Sequence, residues 1–483
     1  MKDINQSYVE RLLSQNGKTW DEKNLNEFTS KESTSESISK ILELQNNLME
    51  KWEIRTTALK FKENSIVLPN ATENSPYIFS FEKGFFSNQK IQSYEFHDLK
   101  KVGLTYDKET LTIEGCPCKS GITTIDLTYK VDGELDSDDS HTKKISLVIN
   151  PDPKSLWKNL PSDTEAMFWK VDDSSASGKL VDKHIVISSK RGRSHQNVGS
   201  FRDDDFAYKN FEDSGWGVVV VSDGAGSASF SRKGSNLACN EVIKYFEEVI
   251  LPNKELDEFE KSFINFIETK DEVNFESTKN DVKKVLYKAS LHVHNEISSV
   301  ANSTVQNNPD LLQTKNVKYN SEFFHSTLIF SAIKKIKDNY LILTFGVGDC
   351  PIGIVNKDRT KASLLNWLDV GEFGGGTRFI TQPEIFHSKE RPMSSRFNIH
   401  VQDDFSFLFL MSDGIYDPKF EVEANLEKTE KWLDFIADLE GNNEDNINLG
   451  FEDDLEIVEK NLNTWMDFWS KGNHDDRTLA IIF

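Results

Sequence analysis

Three apolar strands in this chain each border an aspartate. They are Val218-Val-Val-Val-Ser-Asp-Gly-Ala-Gly-Ser227, Phe407-Leu-Phe-Leu-Met-Ser-Asp-Gly-Ile-Tyr-Asp417 and His474-Asp-Asp-Arg-Thr-Leu-Ala-Ile-Ile-Phe483. A strand that is hydrophobic along its whole length is covered on both faces, so the chain must build packed layers around it. The carboxylates of Asp223, Asp413 and Asp475 then fall at the rim of a sheet. Several carboxylates at one rim repel one another, which is costly unless a cation neutralises them. An all-oxygen donor set points to a hard divalent ion.

Around these strands the pattern alternates with helices. Strands are expected at 184–188, 216–222, 325–335, 340–347, 350–356, 397–401, 406–412 and 478–483, and helices at 232–250, 281–300, 427–439 and 453–470. Val282, Val285, Leu286, Ala289, Val293, Ile297 and Val300 mark one buried helical face. Several strands follow one another without an intervening helix, so antiparallel sheet layers under helices fit better than a doubly wound parallel sheet. Residues 253–280 read as a polar insertion between two helices.

The first third of the chain differs. Residues 1–55 are polar, with Thr29–Ser37 read as a flexible stretch and one amphipathic helix expected from Ile38 to Trp52. Over 56–150, Ile125, Leu127, Tyr129 and Val131 alternate with polar residues, as do Ile145, Leu147 and Ile149. Period-two alternation with regular turns predicts a small all-β sandwich. Residues 151–180, with Trp157 and Trp169, read as a connector, and 181–483 as the domain that carries the aspartates.

A formal net charge of -22 weighs against nucleic acid and anionic membrane as partners. No apolar run approaches the ~20 residues that span a bilayer, and the N-terminus has no apolar leader, so a cytoplasmic location is expected. The four cysteines form no disulfide framework and no paired zinc pattern; Cys116-Pro-Cys118 reads as a turn with incidental thiols. His292 and His294 lie two apart on a helix, face different sides and are not a zinc pair.

The order of motifs carries more than any one of them. Ser194-His-Gln-Asn-Val-Gly199 leads to Arg202-Asp-Asp-Asp-Phe-Ala207; then come Asp223-Gly-Ala-Gly-Ser227, Phe345-Gly-Val-Gly-Asp-Cys-Pro-Ile-Gly353, Ser412-Asp-Gly-Ile-Tyr-Asp417 and Asp475-Asp-Arg-Thr478. This series resembles the PPM (type 2C) metal-dependent protein serine/threonine phosphatases, in particular a bacterial subgroup with the Asp-Gly-Ala-Gly-Ser motif. The resemblance spans about 181–483. It implies an α/β/β/α sandwich of antiparallel sheets flanked by helices, with two Mn²⁺ or Mg²⁺ ions at one end. Asp223 would bridge them, the Gly224 carbonyl would ligate one, Asp413 and Asp475 would complete the shell, and Asp204 matches the early acidic ligand. Asp349 and Asp417 match the holders of a third, weaker ion. The implied reaction is hydrolysis of phosphoserine and phosphothreonine by direct attack of a metal-bridging hydroxide, with a phosphoprotein as substrate and a cognate Ser/Thr kinase as functional counterpart. No phosphoenzyme is needed, which agrees with the lack of a G-x-S-x-G elbow.

The chain departs from the family pattern in two places. Ala225 stands where many members have a His acting as general acid, leaving that role to bound water or another residue, with His195 a candidate. The phosphate-binding Arg of the entry motif aligns with Gly199, so Arg193, His195 or Arg202 would substitute. The run Asp203-Asp204-Asp205 leaves the early ligand open by one residue. Glu372–Arg378 occupies the place of a substrate-facing flap, with Thr377 and Arg378 able to touch substrate. Gly103–Ile125 resembles bacterial immunoglobulin-like or cadherin-like domains and implies a binding or spacing role. The alternatives are a catalytically weak phosphatase-fold binding or scaffolding module and, less favoured by the acidic surface, a hydrolase of another phosphoester.

Overall fold

The computed structural model describes residues 3–270, 272–369, 376–389, 391–470 and 472–483. It divides between Leu156 and Trp157 into two compact units.

The first unit begins with three helices, α1 (Ile4–Gln15), α2 (Glu22–Thr29) and α3 (Glu32–Glu63). This corrects two expectations, a flexible Thr29–Ser37 and a single helix before residue 55. The reason is a small apolar cluster of Tyr8, Val9, Leu25 and Ile38, spread too thinly over a polar sequence to read as periodicity. Asp21 caps α2 by accepting the Asn24 N–H at 3.0 Å. α3 runs on past 55, and its Ala58 and Phe61 enter the core of the strands that follow.

Those strands are β1 (Ala71–Thr72), β2 (Tyr77–Ser80), β3 (Ile91–His97), β4 (Leu104–Asp107), β5 (Thr112–Gly115), β6 (Gly121–Val131) and β7 (His141–Asn150). They form two sheets, ordered β1-β7-β6-β3 and β2-β5-β4, antiparallel except for β1 with β7. The period-two residues Ile125, Leu127, Tyr129 and Val131 are buried with Ile145, Leu147 and Ile149. The Tyr129 hydroxyl donates to the Ala58 carbonyl at 2.8 Å, and the Lys143 ammonium to those of Phe61 and Lys62 at 2.8 and 2.9 Å. The Phe61 and Lys62 carbonyls, in the last turn of α3 and without a partner in the helix, are thereby satisfied.

The second unit holds β8 (Asp173–Leu180), β9 (Lys183–Lys190), β10 (Asp205–Phe211), β11 (Trp216–Ser222), β12 (Leu328–Ile336), β13 (Asn339–Val347), β14 (Ile352–Asn356), β15 (Ala362–Leu364), β16 (Phe397–Gln402), β17 (Phe405–Met411) and β18 (Arg477–Ile482). One sheet is ordered β10-β11-β12-β13-β16 and the other β15-β14-β17-β18-β9-β8, with every pair antiparallel. The helices are α4 (Arg193–Val198), α5 (Ser231–Tyr245), α6 (Asp257–Thr269), α7 (Glu272–Asn307), α8 (Asp413–Phe420), α9 (Thr429–Leu439) and α10 (Leu455–Trp465).

The valine run of β11 shows how the layers form. Val219 and Val221 join Ile187, Ile329, Leu408, Leu410 and Ala480 between the sheets, while Val218 and Val220 face α5 and α7. On β17, Leu408 and Leu410 point inward and Phe407, Phe409 and Met411 pack under α9 and α10. A strand buried on both faces needs no polar alternation, which is why these read as unbroken apolar runs.

Two further expectations are corrected. Residues 173–180, expected as connector, are the edge strand β8, Ser- and Gly-rich because an edge strand is only partly covered. The expected polar insertion at 253–280 holds α6 and the start of α7, whose Phe259, Phe263 and Phe275 are buried on one face. No helix of the described residues is long and apolar enough to cross a membrane.

Candidate metal centre

The strand registers bring the acidic residues to one end of the second unit. Asp205 pairs with Ser222, so Asp204 and Asp223 leave the first sheet side by side. Leu479 pairs with Met411, so Asp413 and Asp475 leave the second sheet together, and the Ser412 N–H donates to the Thr478 carbonyl at 3.0 Å. Asp349 follows β13, Asp413 opens α8, and Asp417 lies one turn along it. Gly224 passes so close to the Asp203 backbone that a Cβ would stand 2.5 Å from its carbonyl oxygen. Only glycine fits that crossing.

Burial and like charge act together here. Burial raises the carboxyl of Asp223, and Asp413 and Asp204 raise it further, well above the usual range. Asp413 is raised in the same way by burial and Asp475. Asp203 and Asp204 are pushed up to about 7 by burial and the charge of Asp476. Burial also raises Asp349 and Asp475. Among the described residues no Lys or Arg stands within ion-pair distance of Asp204, Asp223, Asp349, Asp413 or Asp475.

Several of these oxygens have no partner. Oδ1 of Asp204, of Asp349 and of Asp413 are buried without a hydrogen bond. Asp204 accepts the Thr478 hydroxyl through its other oxygen at 2.8 Å, and Asp349 accepts that of Thr377 at 2.5 Å. Ligand atoms of Asp223, Asp349 and Cys350 all lie within 4.8 Å of one another. Burial raises the Cys350 thiol well above its usual range, so it stays protonated and the donors are oxygens. Orphaned, crowded, buried carboxylate oxygens fit hard divalent cations.

The geometry separates the three consecutive aspartates. Asp205 accepts from Lys170 at 3.1 Å and from Asn236 at 3.1 Å, with Arg202 at 3.7 Å. Burial would raise its carboxyl, but these cations hold it below the usual value. Asp204 faces the cluster with an open oxygen, and Asp203 lies 3.9 Å from the His195 ring.

Of the basic candidates, only His195 meets the cluster. Its Nδ1 is 3.0 Å from Asp476 Oδ1 and its Nε2 faces Asp203 Oδ2. Burial opposes its positive charge, yet Asp476 and Asp203 push its pKa up to about 10. Arg193 is not brought there: it donates to the Asp467 carbonyl at 2.8 Å and lies over the Trp469 ring. Residues 193 and 195 are two apart on α4 and point to different sides. Arg202 is buried and donates to Ser189, Val171 and the Asp204 carbonyl, which fixes the backbone at Asp204.

Asp417 accepts the Asn473 amide at 3.0 Å. In the glycine-rich segment, Glu372–Gly375 lie outside the described residues, while Arg378 is exposed beside Thr377. His292 pairs with Glu241 at 3.0 Å and His294 with the Ile380 carbonyl at 2.8 Å.

Asp476 was missed in the sequence. It is fully buried and accepts from Gly192 N–H at 2.6 Å, from Asp203 N–H and from His195. Burial would raise it, but these donors, His195 first, hold it below the usual value. Its doublet with Asp475 was the only available signal, and a doublet does not say which member faces the cluster.

The family described as Protein phosphatase 2C matches residues 191–467. No curated protein matches the chain. Similar solved structures include the serine/threonine phosphatase Stp1 from Staphylococcus aureus, at 13% identity over 67% of this chain and 96% of that one, TM-score 0.30. They also include the catalytic domain of the serine threonine protein phosphatase PstP with two manganese ions, at 13% identity, 62% and 96% coverage and TM-score 0.30. RsbX with magnesium is similar at 11% identity, 64% and 98% coverage and TM-score 0.32.

Proposed function

The chain belongs to the protein phosphatase 2C family, and from that premise we propose how its carboxylate cluster holds Mn²⁺ or Mg²⁺ and hydrolyses phosphoserine and phosphothreonine in proteins. It is a metal-dependent protein serine/threonine phosphatase. The observation that carries the site assignment is the set of buried, unpartnered oxygens on Asp204, Asp349 and Asp413, crowded together with Asp223 and Asp475 and, among the described residues, without a Lys or Arg in ion-pair distance.

Asp223, the Gly224 carbonyl, Asp204, Asp413 and Asp475 would hold two ions, and Asp349 and Asp417 a third. When bound, the ions supply positive charge for the phosphoryl oxygens and acidify the attacking water. The residues of the chain do the rest. Buried carboxylates on strand ends stand in a fixed frame, so little reorganisation accompanies attack. The water oxygen bonds to phosphorus as the bond to the Ser or Thr oxygen breaks. His195 gives its Nε2 proton to that departing oxygen and is reprotonated from solvent. Arg193 and Arg202 are committed elsewhere, which favours His195 over both. Arg378 contacts the peptide flanking the phosphate.

The first unit reads as an immunoglobulin-like sandwich that recognises a partner or places the substrate. The setting is the cytoplasm of a bacterium, with a cognate Ser/Thr kinase as counterpart. The complete donor set disfavours a scaffolding role.

The test is hydrolysis of a phosphothreonine peptide with Mn²⁺, with EDTA, and by Asp223→Asn. Activity that needs Mn²⁺ and disappears in the variant supports the reading. A folded wild-type protein inert with both Mn²⁺ and Mg²⁺ overturns it.

A further inference from the structure

Asp475 and Asp476 are adjacent, yet only the first belongs with the metal-facing carboxylates. The register of β18 on β9, Arg477 with Lys190, carries Asp476 beneath the Gly192 turn that leads into α4. There one carboxylate takes three N–H groups from three places. Oδ1 accepts Gly192 N–H at 2.6 Å and faces His195 Nδ1 at 3.0 Å; Oδ2 accepts Asp203 N–H. Asp476 thus holds the ring, the turn that starts its helix, and the backbone next to Asp204.

We propose that Asp476 is a positioning residue for His195, fixing the imidazole through Nδ1 so that Nε2 is presented to the carboxylate cluster. This rests on the phosphatase reading above. A ring that gives its Nδ1 proton to a carboxylate has its tautomer and its orientation set by that bond. Nε2 remains the free nitrogen, on the side of Asp203 at 3.9 Å, from which the proposed proton transfer would run. An unanchored imidazole would lose that alignment even with both metals in place. Ser194 adds to the anchoring: its N–H and hydroxyl both donate to the His474 carbonyl, at 3.0 and 2.9 Å, tying α4 to the segment that carries Asp476.

The experiment compares the full-length wild type, Asp476→Asn, His195→Gln and the double variant. Asn keeps the size of the side chain but turns either a donor or a weaker acceptor toward Nδ1. Expected for Asp476→Asn is a fall in kcat of about 10²-fold on a phosphothreonine peptide, with KM little changed. His195→Gln falls similarly, and the double variant falls no further. On p-nitrophenyl phosphate, whose leaving group needs no proton, both variants lose at least about tenfold less than on the phosphothreonine peptide. Calorimetry gives a Mn²⁺ affinity for Asp476→Asn that falls far less than kcat, and kcat is read at saturating Mn²⁺. Histidine ¹⁵N spectra of the metal-free wild type show His195 protonated at Nδ1, a signature lost in Asp476→Asn.

Full activity in Asp476→Asn, losses that multiply in the double variant, or a parallel loss of Mn²⁺ affinity overturns the proposal. A wild type inert on both substrates would sink the phosphatase reading, while the ¹⁵N spectrum would still decide whether Asp476 sets the ring. If Asp476→Asn does not fold, the wild-type spectrum decides alone: His195 lacking an Nδ1 proton refutes the anchoring.

Discussion

Two sets of buried aspartates in the second unit are solved in opposite ways. Asp369 accepts from Arg391 at 3.0 Å and from both Nε and a terminal nitrogen of Arg396, and Asp205 sits against Lys170 and Arg202. Asp223 and Asp413 are less deeply covered, yet burial still raises both carboxyls, and the charged groups that act on them most are other carboxylates. The first set is neutralised by the chain itself, which makes it structural. The second is left without a counter-charge where charge is costly, the arrangement that the proposed cation would complete. Burial therefore says nothing by itself about function; the sign of the neighbours does.

The sharpest way to break this contrast is to neutralise one member of each set. Asp223→Asn should lower Mn²⁺-dependent hydrolysis by about 10²–10³-fold while leaving the protein folded. Steady-state kinetics with far-UV circular dichroism check this. Asp369→Ala should do the reverse. Stranding Arg396 in the interior costs about 3–5 kcal/mol of stability, read as a lower denaturation midpoint. If Asp369→Ala unfolds no more easily than wild type, the structural half of the comparison fails.

A third test uses pH. Asp203 and Asp204 titrate near 7 in the fold, and Asp223 and Asp413 are also raised, against about 3.9 in an unfolded chain. A raised carboxyl favours the fold below its unfolded pKa and loses that contribution as pH rises through the folded one. In EDTA, Tm should drop by roughly 5–10 °C between about pH 5 and about pH 7.5. Saturating Mn²⁺ should abolish most of that drop, and Asp413→Asn should flatten it. A metal-free Tm that rises over the same window contradicts the crowding of charges.

The smallest effect concerns the support of one ligand. Thr478→Val removes the hydroxyl that holds Asp204, so Mn²⁺ affinity should weaken by about tenfold with little change in Tm. Titration calorimetry measures it.

Much of the second unit was legible in the sequence. The strand Trp216–Ser222 was read at its observed limits because valines buried on both faces leave an unbroken apolar run. Asp204, Asp223, Asp413 and Asp475 were visible because each adjoins such a strand or a glycine turn. β8 and α6 were not, since an edge strand needs no apolar alternation and α6 buries Phe259 and Phe263 in a polar segment. Arg193 and His195 looked equivalent as basic residues of one short motif; only the turn of α4 sends them to different sides.

The sequence by itself determined that buried strands end on carboxylates in a fixed order, because hydrophobicity and charge are properties of residues. Tertiary structure decided which carboxylates remain uncompensated. Lys170 reaches Asp205 across 35 positions, and Asp476 meets His195 across 281. Electrostatic neighbours act through space, and the role of each aspartate is set by the partners that folding brings within a few ångströms.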